Sequence, residues 1–358
     1  MRIAVITVSV GSHVRVYVEH LRASGHDVTV LTNSGRYLDT DVPTIDLRPF
    51  GGRTLKLPRA LLSRLRERRL CRALAHGDFD VVNCQMVMLD ALTALGCSPA
   101  PVVLSFHGSD LYRRAQMPEA FAARLPAALG RAAAIHAVSK HMADELVGLG
   151  APSDRVTTFQ YGIDLSAFSP APERDESRIV SVRALKPLYR VDLLIEAMPL
   201  VLASMPQAVL EVYDEGPELL RLREIASSLN LNQSVRFLGR QPLERIAEAV
   251  GSAAVWASMA ESDGTPLSLL EAMASGAYPV LADIPTLHEW VRAPHGTFVD
   301  ATPSAVASGL IEGLTRARSG AHIAENRRIV EAHADRTRNL ARFERLLEDA
   351  AAGVGVAL

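Results

Sequence analysis

The sequence predicts an α/β protein of two Rossmann-like, doubly wound units facing a central cleft. Three observations predict it. The 358 residues exceed one ordinary core and suit two domains of about 150 to 180 residues. Short unbroken apolar runs alternate with helix-length amphipathic stretches, and continuous apolar strands belong to parallel sheets covered on both faces. A proline-rich, charged stretch from Ser169 to Glu176 interrupts the alternation, which then restarts.

The elements follow in order. Ile3–Val8 is a β-prone run that ends near Gly11. A helical stretch runs to Ser24, Gly25 breaks it, and Val28–Leu31 is the next strand. Val81–Cys84, Val102–Phe106, Ile135–Val138 and Val156–Phe159 continue the pattern, with helices between. After the linker, strands are predicted at Ile179–Val182, Val209–Tyr213, Val235–Leu238, Ala254–Ala257 and Pro279–Leu281. Helices are predicted at Asp192–Ala203, Glu218–Leu229, Leu243–Val250 and Leu267–Ser275. From about Ala305 the chain reads as helix. Ligands of such folds bind at the C-terminal ends of the strands.

Composition excludes several classes. Hydrophobic residues make up 48% and charged residues 22%, which excludes a disordered or collagen-like chain. A net charge of −2 argues against a general nucleic-acid binder. Only Lys56, Lys140 and Lys186 are lysines among 38 basic residues, so each lysine stands out. Cys71, Cys84 and Cys97 form neither a disulfide framework nor a metal-ligand pair, which predicts free thiols in a reducing cytoplasm. Met1–Val10 lacks the features of a signal peptide, and no apolar run is long enough to span a membrane. No P-loop, nucleophile elbow, Cys-x-x-Cys or His-x-x-x-His occurs, and no Gly-x-Gly-x-x-Gly follows a strand. Asp39-x-Asp41 and Asp78-x-Asp80 sit in a loop and before a strand, so no metal requirement is predicted.

The most informative segment runs from Glu261 to Gly276. Thr265 suits an N-cap, Pro266 a first helical residue and Gly276 a helix end. The amides of Leu267 and Ser268 would then point out of the helix start, where the helix dipole favours a phosphate. Glu271 can accept hydrogen bonds from a ribose diol and Asp263 from sugar hydroxyls. An ordinary capped helix with two solvated acids is the alternative.

This segment resembles the signature of the retaining GT-B glycosyltransferases of the family 4 type, in which two acids eight positions apart precede Ala-Met-Ala-x-Gly. Asp263 stands for the first acid, usually Glu, and Glu271 for the second. The resemblance implies that Asp263, Gly264 and Thr265 face the donor sugar. It places the Leu267 and Ser268 amides on the diphosphate and Glu271 on the ribose. His107-Gly108-Ser109-Asp110 resembles the family's His-Gly-x-Asp, which puts His107 beside the donor sugar. Arg183 matches a diphosphate-binding arginine. Tyr189-Arg190 occupies the usual Lys-Gly position, leaving Lys186 or Arg190 to supply the second cation. Gly11 stands where the family has a Gly pair near the phosphates. Tyr161-Gly162-Ile163-Asp164 and Phe168-x-Pro170 resemble the crossing between domains. Asp214-Glu215-Gly216-Pro217-Glu218 resembles the family's Gly-x-Gly-Pro-Glu turn, and Arg240 neighbours the base.

The resemblance covers nearly the whole chain. It implies an N-terminal acceptor-side domain over 1–168, a donor-binding domain over 169–337, and a last helix near 338–358 returning to the first. The implied reaction moves a hexose from a nucleotide diphosphate sugar, UDP-sugar favoured, to a hydroxyl acceptor with retention. His107, Asp263 and Arg183 carry the catalytic roles, with neither cofactor nor metal. A GT-B sugar phosphorylase, a nucleotide-sugar hydrolase or epimerase, and a non-catalytic nucleotide-sugar binder are the alternatives. Between residues 53 and 72 lie eight basic side chains (Arg53, Lys56, Arg59, Arg64, Arg66, Arg68, Arg69, Arg72), with leucines interleaved. This reads either as a solvated helix or as a peripheral contact with the inner face of an anionic membrane.

Overall fold

The computed structural model describes residues 1–8, 12–35, 41–52, 58–112 and 119–354. The chain forms two compact units, Met1–Gln160 with Arg338–Leu358, and Tyr161–Thr337.

The first unit carries a parallel sheet of β1 (Arg2–Thr7), β2 (Asp27–Thr32), β3 (Thr44–Asp46), β4 (Val81–Gln85), β5 (Val102–Phe106), β6 (Ala134–Ala137) and β7 (Val156–Thr158). The strand order is β3-β2-β1-β4-β5-β6-β7. Successive connections run outward in opposite directions from β1 and β4, so the switch point lies between those two strands. Helix α1 (Ser12–Ala23) buries Val14, Tyr17, Val18 and Leu21, the one-stripe spacing of a helix packed on a sheet. Helix α2 (Arg59–His76) buries Leu70 and Leu74 and lies against α3 (Leu89–Cys97). Helices α4 (Ser109–Tyr112), α5 (Glu119–Leu129) and α6 (Lys140–Gly148) complete the described connections.

The packing of α2 on α3 overturns the expectation of three free thiols. Cys71 and Cys97 form a disulfide with their Cα atoms 5.6 Å apart, and only the buried Cys84 is free. The two cysteines are 26 residues apart in sequence. Only the helix pairing brings them to bonding geometry.

The second unit holds β8 (Asp175–Val182), β9 (Val209–Tyr213), β10 (Val235–Gly239), β11 (Ala253–Ser258), β12 (Tyr278–Ala282) and β13 (Thr297–Val299) in the order β10-β9-β8-β11-β12-β13. Its switch point lies between β8 and β11. Helices α7 (Val191–Ser204), α8 (Leu219–Ser228) and α11 (Pro303–Ala317) join one apolar cluster built on Ile179, Leu210, Val255 and Val280. On the other face, α9 (Leu243–Ser252), α10 (Leu267–Ala274) and α12 (Ala321–His333) pack around Val180, Trp256 and Leu281. Both faces of the sheet are therefore covered, as the unbroken apolar strands require.

Helix α13 (Arg336–Ala351) buries Leu340, Phe343, Leu346, Leu347 and Ala350. Phe343 meets Tyr17 edge-on at 5.4 Å and the buried His136 at 5.6 Å. Burial pushes the His136 imidazole down to about 4. Glu344 accepts from His20 and His26, each 2.9 Å away. His26, Glu344 and Glu348 offer ligand atoms within 4.8 Å of one another, a grouping that no sequence spacing among the histidines shows.

The unit boundary falls at 160/161 rather than 168/169. Ile163 donates its amide to the Ala334 carbonyl (2.9 Å) and accepts from the Arg336 amide (3.1 Å). Phe168 is fully buried in the second unit's core. Gly162 has φ +86, and a Cβ there would lie 2.6 Å from the Ala334 carbonyl oxygen, so glycine is required. The linker stretch also ends sooner than its composition implied, since Asp175 and Glu176 already belong to β8. The edge strands β3 and β13 are three residues each, too short to show a period. Among the described residues, no helix is long and apolar enough to cross a membrane.

Candidate active site

In the second unit, the predicted donor residues collect at the C-terminal ends of β8 and β11, the switch point of the sheet. Arg183 directly follows β8, and its side chain is only 8% exposed. Its guanidinium ion-pairs with the Asp263 carboxylate, donates to Ser268 Oγ (3.4 Å) and stacks on the Tyr189 ring at 4.1 Å. Its Nε is buried without a hydrogen-bond partner among the described residues. The charge is thus held by three neighbours at the mouth of α10.

Helix α10 starts at Leu267 as predicted, but its cap lies one residue later than the sequence implied. Pro266 is the N-cap, with extended backbone and no side-chain cap. Thr265 is not the cap: its hydroxyl donates to the Gly264 carbonyl (2.7 Å) and accepts from Trp290 Nε1 (3.3 Å). No side-chain cap therefore occupies the amides at the helix start. The amides of Leu267 and Ser268 have no hydrogen-bond partner among the described residues. They form the positive end of a helix dipole beside a fixed guanidinium, which is an anion-binding arrangement. The preceding loop is braced by a segment that sequence reasoning left unassigned, as Thr286 Oγ1 donates to the Asp263 carbonyl at 2.8 Å.

Glu271 lies one turn into α10. Burial pushes its carboxyl up to about 7 against the pull of the Arg336 charge. No hydrogen-bond partner for it exists among the described residues, so both oxygens remain available to accept.

The cations differ in their commitments. Lys186 is exposed and makes no ion pair among the described residues. Arg190 is drawn to acids instead, with Nε 3.2 Å from Asp192 and Nη1 3.6 Å from Glu261. Its backbone is left-handed, with φ 44° and ψ 44°. That explains why glycine suits this position, and arginine costs about 1 kcal/mol there. Asp214 repeats the case with φ 78°. Gly216 is indispensable because a Cβ would sit 2.2 Å from the Leu185 carbonyl oxygen. Arg240 is 78% exposed and pairs with Asp214 at 3.3 Å.

In the first unit, His107 follows β5 at the sheet's C-terminal edge. Its Nε2 lies 2.5 Å from Gln85 Oε1 at the end of β4. Asp110 is fully buried and accepts the backbone N–H groups of Val87, His107 and Gly108. Burial pushes its carboxyl up while those donors pull it down. Sequence reasoning assigned no role to Gln85 or Asp110. The signal for Gln85 was a pair of polar residues, Asn83 and Gln85, inside the apolar run of β4. Gly11 lies outside the described residues, as does Asp39. Asp78 and Asp80 both bond to Arg2 at the opposite, N-terminal edge of the sheet.

The chain matches the Glycosyltransferase Family 4 model over residues 10–167. It matches the Glycosyl transferases group 1 model over residues 163–330. It is 30% identical over 296 residues to the phosphatidyl-myo-inositol mannosyltransferase of Mycolicibacterium smegmatis, covering 77% of this chain and 72% of that protein. The Mycobacterium tuberculosis protein of the same name is 27% identical over 335 residues, covering 85% and 82%. The chain belongs to the family 4, group 1 glycosyltransferases. Among solved structures it resembles the sucrose-phosphate synthase of Thermosynechococcus elongatus, with TM-score 0.82 and 19% identity over 98% of this chain and 99% of that one. Anabaena HepE in complex with UDP and glucose matches with TM-score 0.75 and 16% identity, over 98% and 100%. This glycosyltransferase therefore has the GT-B fold of two Rossmann-like domains.

In this glycosyltransferase, the described part of the basic stretch over residues 53–72 falls on α2. Arg64, Arg68, Arg69 and Arg72 are exposed, and Leu61 is 42% exposed. Arg66 is not part of that surface, because its Nε pairs with the buried Asp90 at 2.9 Å. Residues 53–57 and the Arg59 side chain lie outside the described residues.

Proposed function

We propose that the protein transfers a hexose from a nucleotide diphosphate sugar to a hydroxyl of a polyol or lipid-linked acceptor, with retention of configuration and without a metal. The observation that carries this reading is the Arg183 guanidinium set beside two amides at the start of α10 that have no partner among the described residues.

In this reading the diphosphate lies across the α10 start and against Arg183, with Lys186 as the second cation. Arg190 is less suited, since two acids already occupy it. As the glycosidic bond breaks, negative charge grows on the leaving diphosphate, and fixed donors stabilise it without reorganising. The acceptor hydroxyl attacks on the face that the diphosphate leaves, and a phosphate oxygen takes its proton. Asp263 holds sugar hydroxyls once the diphosphate competes for Arg183, and Glu271 holds the ribose. Gly264 and the Thr265 backbone border the sugar, and His107 stands beside it. Arg240 and the Asp214 turn border the base.

The curated relatives named above are mannosyltransferases acting on phosphatidyl-myo-inositol. Another match is a GDP-mannose-dependent mannosyltransferase of Corynebacterium glutamicum. They support an inositol-type polyol as acceptor, and the last of them supports GDP-mannose as a donor candidate alongside the UDP-sugars favoured from sequence. Exposed arginines on α2 support contact with anionic lipid at the acceptor side.

Thermal stabilisation by UDP, GDP, ADP and TDP, each alone and as common sugar conjugates, with and without EDTA, tests the donor site. A shift with one nucleotide that survives EDTA is expected. No shift with any of them at about millimolar concentration would overturn the assignment, since saturation of even a weak site stabilises the fold by mass action. Products formed without acceptor separate transfer from hydrolysis or epimerisation. Binding without turnover on any acceptor would indicate a non-catalytic binder.

A further inference from the structure

We infer that Gln85 is a positioning residue, which sets the ring orientation and tautomer of His107 through a buried amide relay anchored on the backbone of β5. Five polar side chains and one backbone carbonyl form the relay. His107 Nε2 is 2.5 Å from Gln85 Oε1. Gln85 Nε2 donates to Asn83 Oδ1 at 2.7 Å. Asn83 Nδ2 donates to Ser105 Oγ at 3.0 Å and to the Val103 carbonyl at 3.4 Å. The Tyr17 hydroxyl donates to Asn83 Oδ1 at 3.4 Å.

Burial makes this arrangement costly unless each member is bonded. Asn83, Gln85 and Ser105, within an apolar parallel sheet, and Tyr17 on α1 are all at most 1% exposed. Apolar residues at 83 and 85 would suit β4 as well as its neighbours Val81 and Val82 do. The register explains how the relay forms. Asn83 pairs with Val103 and Gln85 with Ser105, and residues two apart share a face of the strand.

The relay has a direction. A backbone carbonyl only accepts, so Asn83 must present its Nδ2 to Val103 and its oxygen to Gln85. Gln85 must then present its Nε2 to Asn83 and its own oxygen to the imidazole. An amide oxygen beside Nε2 requires the proton on that nitrogen, so the neutral ring carries its lone pair on Nδ1. Asp110 fixes the backbone of the same histidine through the His107 and Gly108 amides. Side chain and main chain are thus held by separate partners.

The kinetic part of this inference rests on the reading of His107 as a group beside the donor sugar; the ring-proton part does not. Protein labelled with ¹⁵N-histidine gives the tautomer, with His107 identified by the signal missing from His107→Gln. The wild type is expected to show a slowly exchanging proton on Nε2. Gln85→Met, close in shape but without the acceptor, is expected to lose that protection. It should also lower kcat by about 10-fold to 100-fold with donor KM little changed. Gln85→Glu keeps the acceptor for Nε2 but loses the donor to Asn83 Oδ1, so it should restore the Nε2 proton and only part of kcat. A wild-type ring protonated on Nδ1 overturns the inference. So does a Gln85→Met protein that folds, loses the protected proton and keeps its kcat, since Gln85 would then position a histidine that the reaction does not use. If no turnover is found for the wild type, the ring-proton measurement still decides whether the relay sets the tautomer, and it is the proposed transfer that fails.

Discussion

Nucleotide-sugar binding should depend on pH through Glu271. Its carboxyl is raised to about 7 from an ordinary 4.5 because α10 buries it, and Arg336 only partly offsets that burial. If the ribose diol donates to the ionised form, affinity follows the ionised fraction, about 0.1 at pH 6 and about 0.9 at pH 8. The expected gain in affinity is about tenfold across that range, or about 1.4 kcal/mol. The stability of the free protein moves the other way. A carboxyl whose folded value lies above its unfolded value contributes stability that is complete below the unfolded 4.5 and lost as pH rises through about 7. The full loss is about 3 kcal/mol. Ligand binding opposes this loss, because the diol compensates the ionised carboxylate, so binding near pH 6 should release a proton. Titration calorimetry at pH 6 and pH 8, in buffers of different ionisation enthalpy, measures both effects. A nucleotide sugar is the proper ligand, since a free diphosphate has a terminal phosphate that titrates near pH 6 itself. Glu271→Gln should bind with flat pH dependence and no proton release. Equal pH dependence in the wild type and Glu271→Gln would refute the reasoning.

Three further outcomes are expected. Arg183→Met should lower kcat/KM by about 10²-fold to 10³-fold, as loss of one preorganised donor to developing charge does; steady-state kinetics showing a loss below tenfold would remove Arg183 from the leaving-group site. Gly216→Ala should destabilise the second unit, because its Cβ would enter the Leu185 carbonyl oxygen at 2.2 Å; a denaturation midpoint equal to wild type would show that the 185–216 approach relaxes freely. Reducing the Cys71–Cys97 disulfide, which closes 26 residues, should cost about 3 kcal/mol in the chain-entropy account; unchanged unfolding of the first unit after reduction, followed by circular dichroism in denaturant, would contradict it.

The alternation of apolar runs and amphipathic stretches was enough to determine two doubly wound units, because a strand covered on both faces must be apolar throughout. The Glu261–Gly276 segment likewise carried its own meaning, since proline, helix and acids lie within one stretch of chain. The structure corrected that segment only by one residue, moving the cap from Thr265 to Pro266. Where residues distant in sequence had to meet, local pattern was silent, and only the family resemblance joined Arg183 to the α10 start and the last helix to the first unit. The Cys71–Cys97 bond depends on α2 lying on α3. The Arg183–Asp263 pair depends on β8 lying beside β11, and the joining of 161–168 to the second unit depends on the Ile163–Asp335 bridge. The Asn83–Gln85 relay shows the division most clearly. Sequence records two polar residues in an apolar strand, and only the parallel register of β4 on β5 decides that they satisfy each other and that Gln85 turns its oxygen to His107. Period and composition are properties of neighbouring residues, whereas pairing, burial and charge compensation are properties of surfaces that the fold brings together.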